Sequence, residues 1–177
     1  MMQSFRLNLR RAFIWIGRLV IGGILIYAGY AKVFLPNLIL RPWFAFRFSL
    51  STNLANFALQ VDSYKMLSPA GVNFVAHTLP FTEMALGLLL LIGWRLRVWA
   101  TLSTLLILGF LGAVTRAYLL HMNINCGCFA TPEPLTGWTV VRDSLLAALA
   151  VTMTVLAFIE SRKPHPWAAP APQTLKA

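Results

Sequence analysis

Charge is scarce in this sequence, and acidic charge above all. Asp and Glu together number 5 and Lys and Arg 15 in 177 residues, so only 11% of the chain is charged. A soluble domain carries about 25%, and the shortfall excludes a single water-facing domain of this size. Cysteine is scarce too. The 2 cysteines, Cys126 and Cys128, exclude a small scaffold stapled by disulfides. What is abundant is apolar: 58% of the residues, with a mean hydropathy of +0.70. The net charge of +10 invites a nucleic-acid reading. A nucleic-acid binder gathers its basic residues on one face or helix, whereas here they sit at the edges of long apolar runs, as in membrane proteins. Nucleic acid is therefore excluded as a partner, and membrane lipid is the expected surroundings. The length suits one domain.

Four runs reach the roughly 20 residues that a helix needs to cross a bilayer: about Ala12–Leu35, Gly71–Trp94, Val98–Leu120 and Val140–Ile159. In lipid the backbone must satisfy its own hydrogen bonds, so each is read as α-helix. The first run follows Arg6, Arg10 and Arg11 like a signal peptide. It exceeds the roughly 7–15 residues of a signal core and ends in Lys32 rather than a small-residue cleavage site, so it is read as an uncleaved anchor. The loop charges Arg6, Arg10, Arg11, Arg95, Arg97, Arg162, Lys163 and Lys176 fall on one side, against Arg41, Arg47 and Lys65 on the other. The positive-inside rule then puts both termini and the Gly93–Val98 turn in the cytoplasm. The expected localisation is a bacterial inner membrane, multi-pass, with the Pro36–Ala70 and His121–Thr139 connections extracytoplasmic.

Within the first outer connection, Leu54, Phe57, Val61 and Tyr64 recur at helical spacing, with Asn53, Asn56, Gln60 and Ser63 on other faces. This predicts an amphipathic helix over Thr52–Leu67, with Ser51 or Thr52 as N-cap. It either lies on the outer leaflet or packs on the end of the bundle. The expected architecture is all-α, an integral membrane four-helix bundle with this extra amphipathic helix. Residues 1–11 form a cytoplasmic segment, 12–160 the membrane domain, and 161–177 a Pro/Ala-rich cytoplasmic tail read as disordered.

The chemistry centres on Cys126-Gly127-Cys128. A disulfide across one residue closes a very small, strained ring, which Gly127 eases through its backbone freedom. Strained, exposed disulfides are the labile or catalytic ones, and the outer face of a bacterial membrane is where disulfides persist. The pair suits thiol–disulfide exchange, with Cys126 and Cys128 as the reacting residues. Three other readings stay open: a structural disulfide, reduced unreactive thiols, and metal binding with His121. The first gains little, because so short a loop removes little chain entropy. The last lacks a fourth ligand at zinc-like spacing, and no metal is expected.

Ionisable residues inside the spans are costly in lipid and face the bundle interior. They are Arg18, Lys32, Glu83 and Arg116, with Arg142 and Asp143 opening the fourth span. At about 1.5 Å per residue, Lys32, Arg116 and Asp143 should lie roughly 5–8 Å below the outer boundary and Glu83 near mid-membrane. They either form buried ion pairs, such as Asp143 with Arg116, or tune the thiols and relay protons. His77 is expected to hydrogen-bond a neighbouring helix. Pro80 should kink the second span, while Gly22, Gly23, Ala28, Gly29 and Gly87 permit close helix contact.

These residues, from Arg18 through Gly29 and Lys32, Leu79-Pro80 through Glu83 and Gly87, then Asn125-Cys126-Gly127-Cys128-Phe129, Trp138 and Arg142-Asp143, resemble the DoxX-like membrane proteins, in particular the MauE branch of methylamine utilisation. The resemblance implies a four-helix membrane bundle tied to redox metabolism. It implies a periplasmic redox enzyme or thioredoxin-like partner, and a quinone as a possible electron carrier. It also implies roles for Cys126, Cys128, Lys32, Glu83, Arg142 and Asp143. Three functions compete: a thiol–disulfide oxidoreductase, a non-catalytic assembly factor or subunit of a redox enzyme, and a small-solute transporter built on Glu83. No internal repeat of the kind many transporters show is evident.

The orientation is testable in intact cells. A membrane-impermeant alkylating reagent is expected to label the Cys126/Cys128 loop after mild reduction, and not a cysteine introduced at Arg97. The reverse pattern, read as added mass, would invert the topology.

Overall fold

The computed structural model describes residues 2–34, 50–126 and 134–161. Five helices carry the chain: α1 (Met2–Phe34), α2 (Leu50–Ser63), α3 (Pro69–Ile92), α4 (Leu96–Leu119) and α5 (Gly137–Ser161). Ala12–Phe34 of α1 and nearly all of α3, α4 and α5 are long and apolar enough to cross a membrane. The helix-forming runs therefore stand where hydropathy placed them. The main difference is α1, which continues through the basic stretch to Met2. The segment after Ser161, read as a disordered tail, lies outside the described residues.

The four long helices close a ring in which α1 touches α3 and α5, and α4 touches the same two. Each is antiparallel to its neighbours, with Ile21, Leu25, Leu90, Ala100, Ala150 and Met153 at the centre. Their outward faces are apolar as well: Leu19, Phe74, Leu88, Leu105 and Leu145 are more than half exposed. A bundle apolar all round belongs in lipid. This is a multi-pass membrane fold.

Small residues set the tightest contact, between α1 and α3. A Cβ on Gly87 would sit 2.6 Å from the carbonyl of Gly22, and one on Gly29 would collide with the carbonyl of Pro80. Without a hydrophobic drive between helices in lipid, such close approach supplies the packing energy. Pro80 lies inside an uninterrupted α3, fully buried at this contact.

The ends are closed by local chemistry. Ser68 caps α3, its Oγ accepting from the Gly71 amide, with Pro69 in the first turn. At the other end Gly93 takes φ 78°, a left-handed conformation that suits glycine. The last carbonyls of a helix have no partner within it. Here Arg18 of α1 supplies one, donating from Nε to Leu90 at 2.9 Å and from Nη2 to Leu91 at 2.7 Å. Its charge also complements the negative helix terminus.

The amphipathic helix forms but is shifted: it begins at Leu50, so Ser51 and Thr52 lie within it rather than cap it, and ends at Ser63, whose Oγ donates to the Gln60 carbonyl. Lys65 then turns the chain with φ 51°. The two placements left open resolve toward packing. α2 lies on α1 and α3, with Leu54 and Phe57 buried and Asn53 Nδ2 donating to Val33, a terminal carbonyl of α1, at 2.6 Å.

The glycine contact yields a comparison. Gly29→Ala is expected to lower stability by about 1–3 kcal/mol through overpacking. Gly23→Ala, with nothing within 4 Å of the new methyl, should leave stability unchanged or raise it by up to about 1 kcal/mol. Thermal unfolding of the two purified variants in one detergent checks the contrast.

Candidate functional site

The cysteine loop begins where α4 stops. His121 adopts φ 51°, its amide bonds the Tyr118 carbonyl and that of Met122 bonds Ala117 at 3.1 Å, which is a Schellman ending without glycine. The loop is pinned again where Leu135 N donates to Ile124 O at 3.0 Å, beside an antiparallel bridge between Asn125 and Pro134. Thr136 then opens α5 against the Thr139 hydroxyl. These ties hold Cys126 at the bundle end, 4% exposed, with the Tyr64 hydroxyl donating to its carbonyl at 2.6 Å. Cys128 lies outside the described residues.

Cys126 lines an apolar cavity of about 250 Å³ between α2 and the ends of α3 and α4. One stripe of α2 and the turn after it, Phe57, Gln60, Val61 and Tyr64, faces this space, closed by Val75, Leu79 and Phe110. On the far side of α2, a groove of about 480 Å³ runs between Leu59, Gln60 and Ser63 and the loop residues Ile124, Asn125, Pro134 and Leu135. Gln60 borders both spaces. The stretch 124–126 thus lines a groove on one side of α2 and an apolar chamber on the other.

Lys32 contributes the charge in the chamber's lining. Its Nζ lies 2.7 Å from both carboxylate oxygens of Glu83, with the two residues 7% and 0% exposed. The rings of Phe57 and Phe110 stand 5.4 and 5.6 Å from the same ammonium, a favourable arrangement away from water. Backbone depth had separated these two residues. With Gly22 level with Gly87 and Gly29 with Pro80, Lys32 lies level with His77, about 9 Å from Glu83 along the axis. Side chains lean toward the N-terminus of their own helix. In an antiparallel pair that carries Lys32 downward and Glu83 upward until they meet.

Below this pair is a second, smaller cavity of about 60 Å³, lined by Lys32, Glu83 and Asp143 among apolar groups including Ala28, Phe110 and Leu146. Asp143 is 9% exposed and accepts from Arg142 Nε at 3.1 Å. The expected partnership of Asp143 with Arg116 is not formed. Arg116 is exposed and donates to the Tyr64 carbonyl at 3.4 Å, while the guanidinium next in sequence takes the carboxylate. Three of the ionisable residues singled out, Lys32, Glu83 and Asp143, therefore surround one interior space, and Arg116 stands outside it.

His77 also differs from expectation: its Nδ1 bonds Asn73 O at 2.8 Å within its own helix and its ring faces outward. Among the described residues no group of three His, Cys, Asp or Glu side chains converges as a metal site would. Sequence reasoning overlooked Phe110, Tyr64 and Gln60 as site residues. Tyr64 belonged to the apolar stripe 54, 57, 61, 64, which marked a buried face without saying what it enclosed, whereas Gln60 had been assigned to another face of the helix. Phe110 had no signal beyond being aromatic in an apolar run.

The family described as methylamine utilisation protein MauE matches residues 10–156, which takes in Lys32, Glu83, both cysteines and Asp143. No curated protein and no solved structure matches the chain significantly.

Burying a charge pair is tolerable only while both partners are present. Glu83→Leu or Lys32→Met alone is expected to cost about 3–5 kcal/mol, and the double variant to recover most of it. A double-mutant cycle of unfolding free energies checks this. Additive losses would mean the two residues act separately.

Proposed function

The chain belongs to the MauE family, a membrane protein family linked to methylamine utilisation, and on that premise we propose that it performs thiol–disulfide exchange through Cys126 and Cys128. The observation that carries the reading is the position of Cys126, in the lining of an apolar chamber shared with Lys32, while its neighbours Ile124 and Asn125 line the groove on the far side of α2. One thiolate attacks a partner disulfide, forming a mixed disulfide and releasing the partner's other sulfur as thiolate. The thiolate of the second cysteine then attacks the sulfur of the first, forming the Cys126–Cys128 disulfide and expelling the partner's remaining sulfur as a second thiolate, so that the partner leaves reduced. The reverse sequence oxidises a partner dithiol. A nearby cation favours the thiolate that either direction needs.

The wider setting belongs to the same proposal. We place the chain with the DoxX-like proteins in a bacterial inner membrane, 12–160 forming the membrane domain. The segments 1–11 and 161–177 are cytoplasmic and the cysteine loop is extracytoplasmic. The partner is then a periplasmic redox enzyme or a thioredoxin-like protein, in keeping with maturation of a disulfide-bearing subunit. A quinone ring fits the chamber's chemistry: apolar walls, two aromatic faces, and Lys32 and Gln60 as hydrogen-bond donors. Such a carrier, when bound, accepts two electrons and two protons. Transport through Glu83 finds less support, since that carboxylate is fully buried and held by Lys32.

A non-catalytic assembly role is the second reading, favoured by the groove itself, which serves docking whether or not the thiols react. Single Cys126→Ser and Cys128→Ser variants separate the two. One of them should trap a mixed disulfide with an extracytoplasmic protein, visible on non-reducing gels and lost on reduction, and both should fail to complement a deletion. Full complementation by both, with a partner still co-purifying, selects the assembly role.

A further inference from the structure

The outer chamber and the inner cavity share two residues, Lys32 and Phe110. The inner one is lined by Lys32 from α1, Glu83 from α3 and Asp143 from α5, with Arg142 bound to Asp143, while Ile107 and Phe110 are what α4 presents there. A cavity needs about 10–15 Å³ and two to four polar partners to hold a water molecule. At about 60 Å³ with an ammonium and two carboxylates in its wall, this one meets both conditions. An apolar cavity of that size would stay dry, so the charged lining decides the matter.

We propose that the inner cavity is hydrated and that Asp143, its water, Glu83 and Lys32 form a proton path from the cysteine end of α5 to the chamber lined by Cys126. Asp143 lies about 9 Å inside the start of α5, near the end that carries the loop. A proton taken up there crosses the cavity water to Glu83. Lys32 gives one of its own protons to the thiolate released in the chamber, and Glu83 restores it. One proton enters at Asp143, one thiolate becomes a thiol, and the ion pair ends as it began. Run backward, the same path drains the proton of an attacking thiol. The path serves the exchange chemistry proposed above and rests on that reading for its proton acceptor, but the hydration of the cavity does not.

Two measurements on the full chain in lipid nanodiscs test it separately. In the first, protein carrying ¹⁵N-lysine is probed by solid-state NMR for magnetisation transfer from water to the Lys32 ammonium. Ala28→Leu, or Leu146→Phe if the first folds poorly, fills the inner cavity without touching a charge. Transfer is expected in the native chain and should fall severalfold in either variant. Transfer unchanged in a folded variant overturns the inference, since water would then reach Lys32 from the outer chamber. The second measurement follows exchange with a small aromatic disulfide in H₂O and D₂O. Asp143→Asn and the cavity-filling variant should each slow it by about tenfold or more, the lower part of what positioned proton transfer contributes. Native rates in Asp143→Asn overturn the path and leave the thiol reading intact. A native chain that exchanges with no disulfide sinks the thiol reading, and the NMR comparison alone then decides whether the cavity connects to Lys32.

Discussion

Two opposite charges that cannot stay apart in lipid govern this molecule. An isolated Lys32 or Glu83 would face a severe solvation penalty among the helices, and their contact at 2.7 Å removes it. The contact forms only if α1 and α3 run antiparallel at one register and close together, which Gly22, Gly29 and Gly87 allow. That register lets α3 begin beyond the end of α1, leaving a step on which α2 rests and against which Asn53 reaches Val33. The chamber beneath α2, the turn that carries Tyr64 and the seat of Cys126 all follow from the same step.

On the proposed reading the site joins two environments that chemistry usually keeps separate. A thiol facing only water would meet soluble partners but no lipid-borne carrier, and one deep among helices would meet no soluble protein. Cys126 lines the chamber, tied by its own carbonyl to Tyr64, while Asn125 beside it lines the groove and Gln60 borders both. In the chamber's lining the Lys32 charge is balanced by Glu83 at 2.7 Å. The Phe57 and Phe110 rings flank the ammonium without competing for its hydrogen bonds.

Much of the fold was legible because long apolar runs admit one solution in lipid. The membrane spans followed from hydropathy to within a few residues, and the stripe Leu54, Phe57, Val61, Tyr64 announced the extra helix. The charged residues were legible individually and not as pairs. Depth counted along a backbone ignores the lean of side chains, so Lys32 and Glu83 were set at different levels although their tips coincide. Arg116 looked like a partner for Asp143 by depth alone. The guanidinium of Arg142, one residue away, takes that role, and Arg116 turns toward Tyr64. Cavities leave no mark in a sequence, since they arise where side chains from several helices fail to meet.

Arg18 and Lys32 grip α3 at two places, the carbonyls of Leu90 and Leu91 and the carboxylate of Glu83. The two helices are therefore ruled like matched scales, and the chain between the grips has no freedom of length. One residue inserted into α1 between them would turn the later grip by about 100° and slide it about 1.5 Å. A compensating insertion in α3 would have to arise at the same time. Sequences that keep this arrangement can diverge in side chains but not in the count of residues from 18 to 32 or from 83 to 91.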